Sequence, residues 1–303
     1  MEWSSTALRT FRALAETGSF TATASALGYT QSAVSRQIAA LERSAGSRLV
    51  DRTAGGARLT AAGSVLLRHA SSALEELDRA EGRMRGAAPD TVRIRLGVFT
   101  SLGAALLPAT LALLRDRAPE VEITTREGST PALARSVRAG TMHVAVLSSR
   151  ALQRLPDHEK PALELETLLE GELLVAVSAR SVLGLDGTVT LAELAGTSWI
   201  ASPQTTGEPA MGVWPALPQR PAVSHVARDW LGKLTLVAAG HGATTIPPYL
   251  AGLVPANVRL VRVRDGEPVA GRVVMARLPG AATAEVTALG DCLREAAAAV
   301  PIA

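Results

Sequence analysis

The character of the apolar pattern changes near residue 86 of this chain of 303 residues, and that change constrains the fold more than any other feature. Before it, apart from a short extended stretch at 49–60, the apolar positions recur at helical spacing. After Gly86-Ala87-Ala88-Pro89-Asp90, a linker composition, strand-like and helix-like runs alternate to the end. Leu8, Phe11 and Leu14 predict an amphipathic helix over about Ser5 to Glu16 that stops before Gly18. Ser19 is placed to cap a second helix over Phe20 to Leu27, closed by Gly28. Thr30 is placed to cap a third, with Val34, Ile38 and Leu41 along one face. Two short helices meeting at a glycine make a helix-turn-helix. Ala24 is small enough for a close helix crossing, Gly28 tolerates the positive φ of the turn, and Val34 fills the corner.

The other side of the third helix carries chemistry. Gln31, Ser32, Ser35, Arg36 and Gln37 lie opposite the apolar stripe, and no acid appears until Glu42. Gln and Arg can grip adenine and guanine edges with two hydrogen bonds, and hydroxyls suit bases or phosphates. A merely solvated face would mix Glu with basic residues. Leu49 to Thr60 then reads as two extended pieces around Gly55-Gly56, a small wing whose Arg52 and Arg58 could meet phosphates or a minor groove. An ordinary three-helix cluster is the alternative. Charge leans the same way: residues 1–60 hold seven arginines against four acids, whereas the whole chain is only +3.

Leu66, Ala70, Ala73, Leu77, Ala80 and Met84 follow a 4-3-4-3-4 spacing, a heptad seam on a helix over 61–86. Its alanines make the seam thin, so dimerisation through it would need a second interface, and a helix packed on its own domain is the alternative. From 91 onward the alternation predicts an α/β fold with parallel strands. The uncharged runs Leu96–Leu114 and Leu234–Val258 are interrupted by Gly and Pro, so neither reads as a membrane span. One cysteine, Cys292, allows no internal disulfide and fits a reducing compartment; with no leader pattern at the start, the expected location is the cytoplasm.

Gly18-Ser19-Phe20-Thr21, the run Gln31 to Ile38, Leu41-Glu42 and Leu59-Thr60-Ala61-Ala62-Gly63 together resemble the N-terminal signature of LysR-type transcriptional regulators. Leu106-Leu107-Pro108 and Val237 to Gly242 leading to Ile246-Pro247 fit more loosely. The resemblance implies an α/β protein with an all-α-rich N-terminal winged helix-turn-helix, a dimerisation helix, and a two-lobed periplasmic-binding-protein-like effector domain. The expected division is 1–60, 61–88 and 89–303, with lobe I at about 91–165 and 269–303 and lobe II at about 166–268. Two positions depart from the family pattern. Val50 stands where phenylalanine is usual before the wing arginine. His143 stands where an aspartate commonly opens the third effector strand, which puts any ligand or hinge role there in doubt.

Enzyme signatures are missing: no HExxH, GxSxG or P-loop occurs, and the five histidines lack metal spacing with acids. Effector candidates come from strand ends and helix starts, where α/β folds place their crevices. They are Thr100 and Ser101, Ser129 and Thr130, Ser148 and Ser149, and in the other lobe Ser202, Gln204, Thr205 and Thr206. Each could equally be a capping or turn residue. The expectation is a non-enzymatic, sequence-specific regulator that binds double-stranded DNA without a cofactor. It would form a homodimer or homotetramer and answer to a small polar or carboxylate effector, with RNA polymerase as partner if it activates. A small-molecule-binding protein whose N-terminal helices serve only assembly, and an enzyme in the two-lobed part, are the rivals.

Overall fold

A computed structural model of the protein describes residues 3–53, 56–84, 92–150, 161–203, 211–215, 217 and 219–301. The N-terminal head opens with α1 (Ser5–Thr17), α2 (Phe20–Leu27) and α3 (Gln31–Ala45). Ser19 and Thr30 accept hydrogen bonds from the amides of Ala22 and Ala33, satisfying donors that a bare helix start would leave open. Gly28 ends α2 at φ 68°, the left-handed geometry the turn requires. Phe11, Val34, Ile38 and Leu41 are buried together with Leu49 and Val50, so a β-branched side chain is accommodated where an aromatic is usual.

The wing is an antiparallel hairpin of β1 (Val50–Thr53) and β2 (Gly56–Leu59). Glu42 fixes where it begins: its carboxylate accepts the amides of Leu49 at 2.8 Å and Val50 at 3.1 Å. Thr60 fixes where it ends, donating to the Arg48 carbonyl at 2.7 Å while accepting the Gly63 amide at 3.0 Å.

The helix α4 (Ala61–Met84) follows. Its heptad seam divides into two parts. Leu66 and Ala70 turn inward with Leu67, Ser71 and Leu74 to complete the head core, while Ala73, Leu77, Ala80 and Met84 are exposed. A straight helix at 3.6 residues per turn drifts by roughly 20° per heptad, so a strict seven-residue stripe cannot stay on one surface.

The rest forms two sheets with helices packed on them. The first sheet has strand order β4-β3-β5-β13-β6, from β3 (Val92–Val98), β4 (Val121–Glu127), β5 (Val144–Arg150), β6 (Glu164–Glu172) and β13 (Ala270–Arg277). It carries α5 (Thr100–Arg117), α6 (Thr130–Arg138) and the last helix, α9 (Ala284–Ala298). The second lobe is built on the order β11-β7-β12-β8, from β7 (Leu174–Ser178), β8 (Thr188–Val189), β11 (Thr244–Ile246) and β12 (Val258–Val263). A bridge from Trp199 to Ala243 attaches the parallel pair β9 (Ser198–Ala201) and β10 (Ala222–Val226). The helices α7 (Leu191–Ala195) and α8 (Trp230–Ala238) belong to this lobe, and a 3-10 turn covers Pro248–Leu253.

Two expectations are corrected. The sheets are mixed: β3, β4 and β5 are parallel, but β13 runs antiparallel to both β5 and β6 because it is the strand by which the chain returns from the second lobe. Pairing with β13 also keeps β6 in the first sheet to Glu172, so the chain leaves that lobe at about Leu173, later than the expected 165/166 boundary. One core cluster runs through both lobes, from Leu96 and Leu102 to Ile200, Ile246 and Tyr249. Among the described residues, no helix is long and apolar enough to cross a membrane.

Candidate nucleic-acid interface and effector site

The apolar stripe of α3 locks the helix against α1 and α2, which turns the opposite face outward. Gln31, Ser32 and Arg36 are exposed on it and Ser35 is half-buried at its edge. No acid lies in the first turn, so the positive end of the helix dipole is uncompensated by side chains there and favours an anion. Ser32 pairs with Thr30 at 3.0 Å. Arg52 reaches from the wing to α3: its Nη2 donates to Ser35 Oγ at 3.0 Å, and its guanidinium lies 4.3 Å from the ring centre of Phe20. An arginine stacked in this way loses less conformational freedom when it meets a phosphate. Arg58, on the other wing strand, is exposed. Gln37 differs from the expectation. It is half-buried and its side-chain oxygen accepts from the buried Thr10 hydroxyl, because its position rotates it towards α1 rather than outward. Sequence reasoning missed Phe20 as the platform under Arg52. The adjacency of Phe20 to the capping Ser19 was visible, but nothing in the spacing tied it to the wing.

In the α/β part, most of the expected hydroxyls make internal bonds. Ser101, in the first turn of α5, is buried with Oγ 3.2 Å from Tyr249 Oη, so it ties α5 to the 3-10 turn. Thr130 opens α6 and donates to the Ser148 carbonyl at 2.9 Å while accepting the Ser148 amide at 3.2 Å. Ser129 is the N-cap of α6 but its side chain makes no capping bond. Ser148 and Ser149 lie within β5 rather than after it, because pairing with β13 extends the strand to Arg150. Thr100 is the first residue of α5. Ser202 follows β9 and accepts from Lys233 Nζ at 2.6 Å. Gln204, Thr205 and Thr206 lie outside the described residues.

A pocket lies beside these groups where the two lobes join. Ser148, Leu169, Leu173, Tyr249, Val269 and Val273 line it, and the Glu170–Arg272 ion pair stands at its wall with Nε 3.8 Å from Oε1. Its volume is about 20 Å³, on the order of one water-sized probe sphere. Lys233 lies in the second lobe, buried on α8 with its ammonium 4.7 Å from the Trp230 ring centre. A buried ammonium is costly unless paired, and Ser202 and the Trp230 ring are among the groups that meet it. Lys233 is one of only two lysines in a chain that otherwise uses arginine, and it falls within an apolar helix. That signal was legible. Among the described residues no group of three metal-ligating side chains occurs.

Two family models match the chain. Residues 5–64 match the family model described as a bacterial regulatory helix-turn-helix protein of the lysR family. Residues 87–298 match the LysR substrate binding domain. The chain is 29% identical over 277 residues to the Hca operon transcriptional activator HcaR of Escherichia coli, covering 86% of this chain and 91% of that one. It is 36% identical over 142 residues to a probable hydrogen peroxide-inducible genes activator of Mycobacterium xenopi, covering 46% of this chain and 75% of the relative. Among solved structures it resembles full-length BenM with a TM-score of 0.54 and 25% identity, covering 98% of this chain and 97% of BenM. Full-length CbnR bound to its target DNA has the same fold, at a TM-score of 0.55 and 23% identity, with 97% of this chain and all of CbnR covered. A winged head whose third helix turns outward a face free of acids up to Glu42, joined to a two-lobed α/β domain and matched to both family models, makes this chain a member of the LysR family, a DNA-binding transcriptional regulator with a small-molecule effector domain and not an enzyme.

Proposed function

We propose that the chain reads its operator with α3 in the major groove, using Gln31, Ser32, Ser35 and Arg36. Arg52 and Arg58 would hold the flanking phosphates, and Gln37 has no part because its side chain is engaged with Thr10. The observation that carries this reading is the acid-free exposed face of α3 with Arg52 braced beside it on Phe20 and Ser35. The working division is a DNA-binding head at 1–60, a dimerisation helix at 61–88 and an effector domain at 89–303. Ala73, Leu77, Ala80 and Met84 are the apolar surface of α4 that a second copy would cover, giving a homodimer and, with a second interface, a homotetramer. The regulator works in the cytoplasm, and RNA polymerase is its partner if it activates.

The effector is a small polar or carboxylate molecule held at the junction of the lobes. Ser129, whose hydroxyl makes no capping bond, and Ser148 on the pocket wall favour this. A peroxide-sensing role, suggested by the names of several relatives, finds little support in the residues. Cys292 is the sole cysteine, it is buried in α9, and burial pushes its thiol pKa up, away from the reactive thiolate. Selecting bound duplexes from a random pool at two salt concentrations tests the main reading. An enriched sequence with dyad symmetry is expected. Binding that enriches nothing and vanishes with salt would mean electrostatic contact alone.

A further inference from the structure

The head does not hang free of the α/β domain; it is docked on one end of α6. Ser71 of α4 donates to the Ala139 carbonyl at 2.7 Å in a buried bond, and Ala139 itself belongs to the head core. Gly140 follows at φ +67°, where a Cβ would sit 2.8 Å from the Ser71 Cβ, so only glycine allows this approach. On the other flank Glu16 of α1 pairs with Arg126 of β4, accepts from Ser136 Oγ at 3.1 Å, and offers its backbone carbonyl to Arg135 Nε at 3.5 Å. A third grip comes from Glu75 of α4, paired with Arg95 of β3 and 3.3 Å from His143 Nε2. Arg95 in turn binds the carbonyls of Thr141 and Gly140, and its amide donates to His143 Nδ1 at 2.9 Å.

The docking combines the packed contact at Ala139 with these polar grips, and one of its groups is left unsatisfied. Arg12 of α1, which interacts with Glu75 and Arg95, keeps a buried Nη1 with no hydrogen-bond partner among the described residues. It also leaves Gln31, Ser32 and Arg36 exposed, so it does not mask the DNA-reading face. What it does is aim that face.

The opposite end of α6 is tied to a residue that lines the pocket proposed above for the effector. Thr130 is bonded to Ser148, which lines the pocket, while Arg135 and Ser136, near the other end of α6, hold the head. The helix has nine residues and so spans only about 13 Å. Leu133, Ala134 and Val137 are buried against β5 and β13, which makes it a rigid piece rather than a loop.

We propose that α6 is the coupling rod of this regulator: a ligand that displaces its N-terminal end at Ser129, Thr130 and Ser148 re-aims the DNA-binding head docked at its C-terminal end. This rests on the regulator reading above. In a dimer the orientation of the two heads fixes the half-site spacing that can be bound, so the rod would convert ligand binding into a choice of spacing.

The test uses the full chain with nitroxide labels on Ser25→Cys in the head and Ala298→Cys in α9, both exposed, with Cys292 buried and left unlabelled. Labelled chain is exchanged into excess unlabelled chain so that only distances within one protomer are read. A single narrow distance is expected, broadened by Glu16→Ala combined with Ser71→Leu. A broad distribution in the otherwise unchanged chain, or a narrow one that survives both substitutions, overturns the docking. The second arm uses duplexes with paired half-sites at varied spacing, taken from the selection described above. The unsubstituted chain should prefer one spacing by roughly tenfold, and both Glu16→Ala/Ser71→Leu and Thr130→Val should erase or move that preference while single half-sites bind as before. An unchanged preference in Thr130→Val overturns the coupling. If no duplex is selected at all, the regulator reading falls and the coupling with it, but the label distances still decide whether the head is docked.

Discussion

The two candidate sites of this regulator treat their polar side chains in opposite ways. On the head, Gln31, Ser32 and Arg36 point outward, and Arg52 is braced beside them by Ser35 and Phe20. In the α/β domain, the effector candidates Ser101, Thr130 and Ser202 are each engaged by a partner in the same chain. A surface that meets a large, stiff, charged partner can be complete before the partner arrives. A site closed around a small molecule must first exchange internal hydrogen bonds for ligand contacts, which costs affinity and makes binding responsive to conformation.

That contrast can be broken or sharpened by substitution. The largest effect is expected from Phe11→Ala, which empties the centre of the head and should cost about 3–5 kcal/mol of stability, read by denaturant unfolding. If the head stands apart energetically, DNA binding should fail while the α/β domain keeps its own transition. Arg36→Ala should weaken operator binding by about 1–3 kcal/mol and relax selectivity at one base position; a uniform loss across sequences would reassign it to the phosphates. Tyr249→Phe removes the partner of Ser101 and should cost about 1 kcal/mol of α/β-domain stability. No loss there would free Ser101 for a ligand role. Arg58→Ala should leave selectivity intact and reduce the slope of log affinity against log salt by about one unit.

The subtlest expectation concerns Glu75. Burial opposes its charge, but His143 and Arg95 more than offset this, so its folded pKa lies below the ordinary 4.5. A carboxylate depressed on folding contributes stability that is present above 4.5 and lost as pH falls through the lower folded value. The head should therefore loosen from β3 in that acid window, and Glu75→Gln should flatten this part of the pH profile, as followed by the label distance.

The legibility of the head and of the α/β domain differed for a physical reason. Helix caps such as Ser19 and Thr30, the stripe of Val34, Ile38 and Leu41, and the turn at Gly28 are local devices, each written within a few residues and each found where its spacing indicated. The antiparallel course of β13, the late exit of β6 from the first sheet, and the inward turn of Gln37 depend on partners far along the chain. Periodicity carries no information about such partners. His143 illustrates the limit. The sequence marked it as unusual, and only the fold gave it neighbours, Arg95 and Glu75, from strands and helices that no spacing rule connects to it.

By itself, then, the sequence determined the winged head, its outward polar helix and the alternation of strands and helices behind it, because short-range spacing encodes all three. Tertiary structure decided which half of α4 is buried, which hydroxyls are already occupied, and that the head rests on α6. Those outcomes depend on contacts between residues tens of positions apart, such as Ser71 with Ala139 and Glu16 with Ser136, whose geometry exists only after the chain has folded.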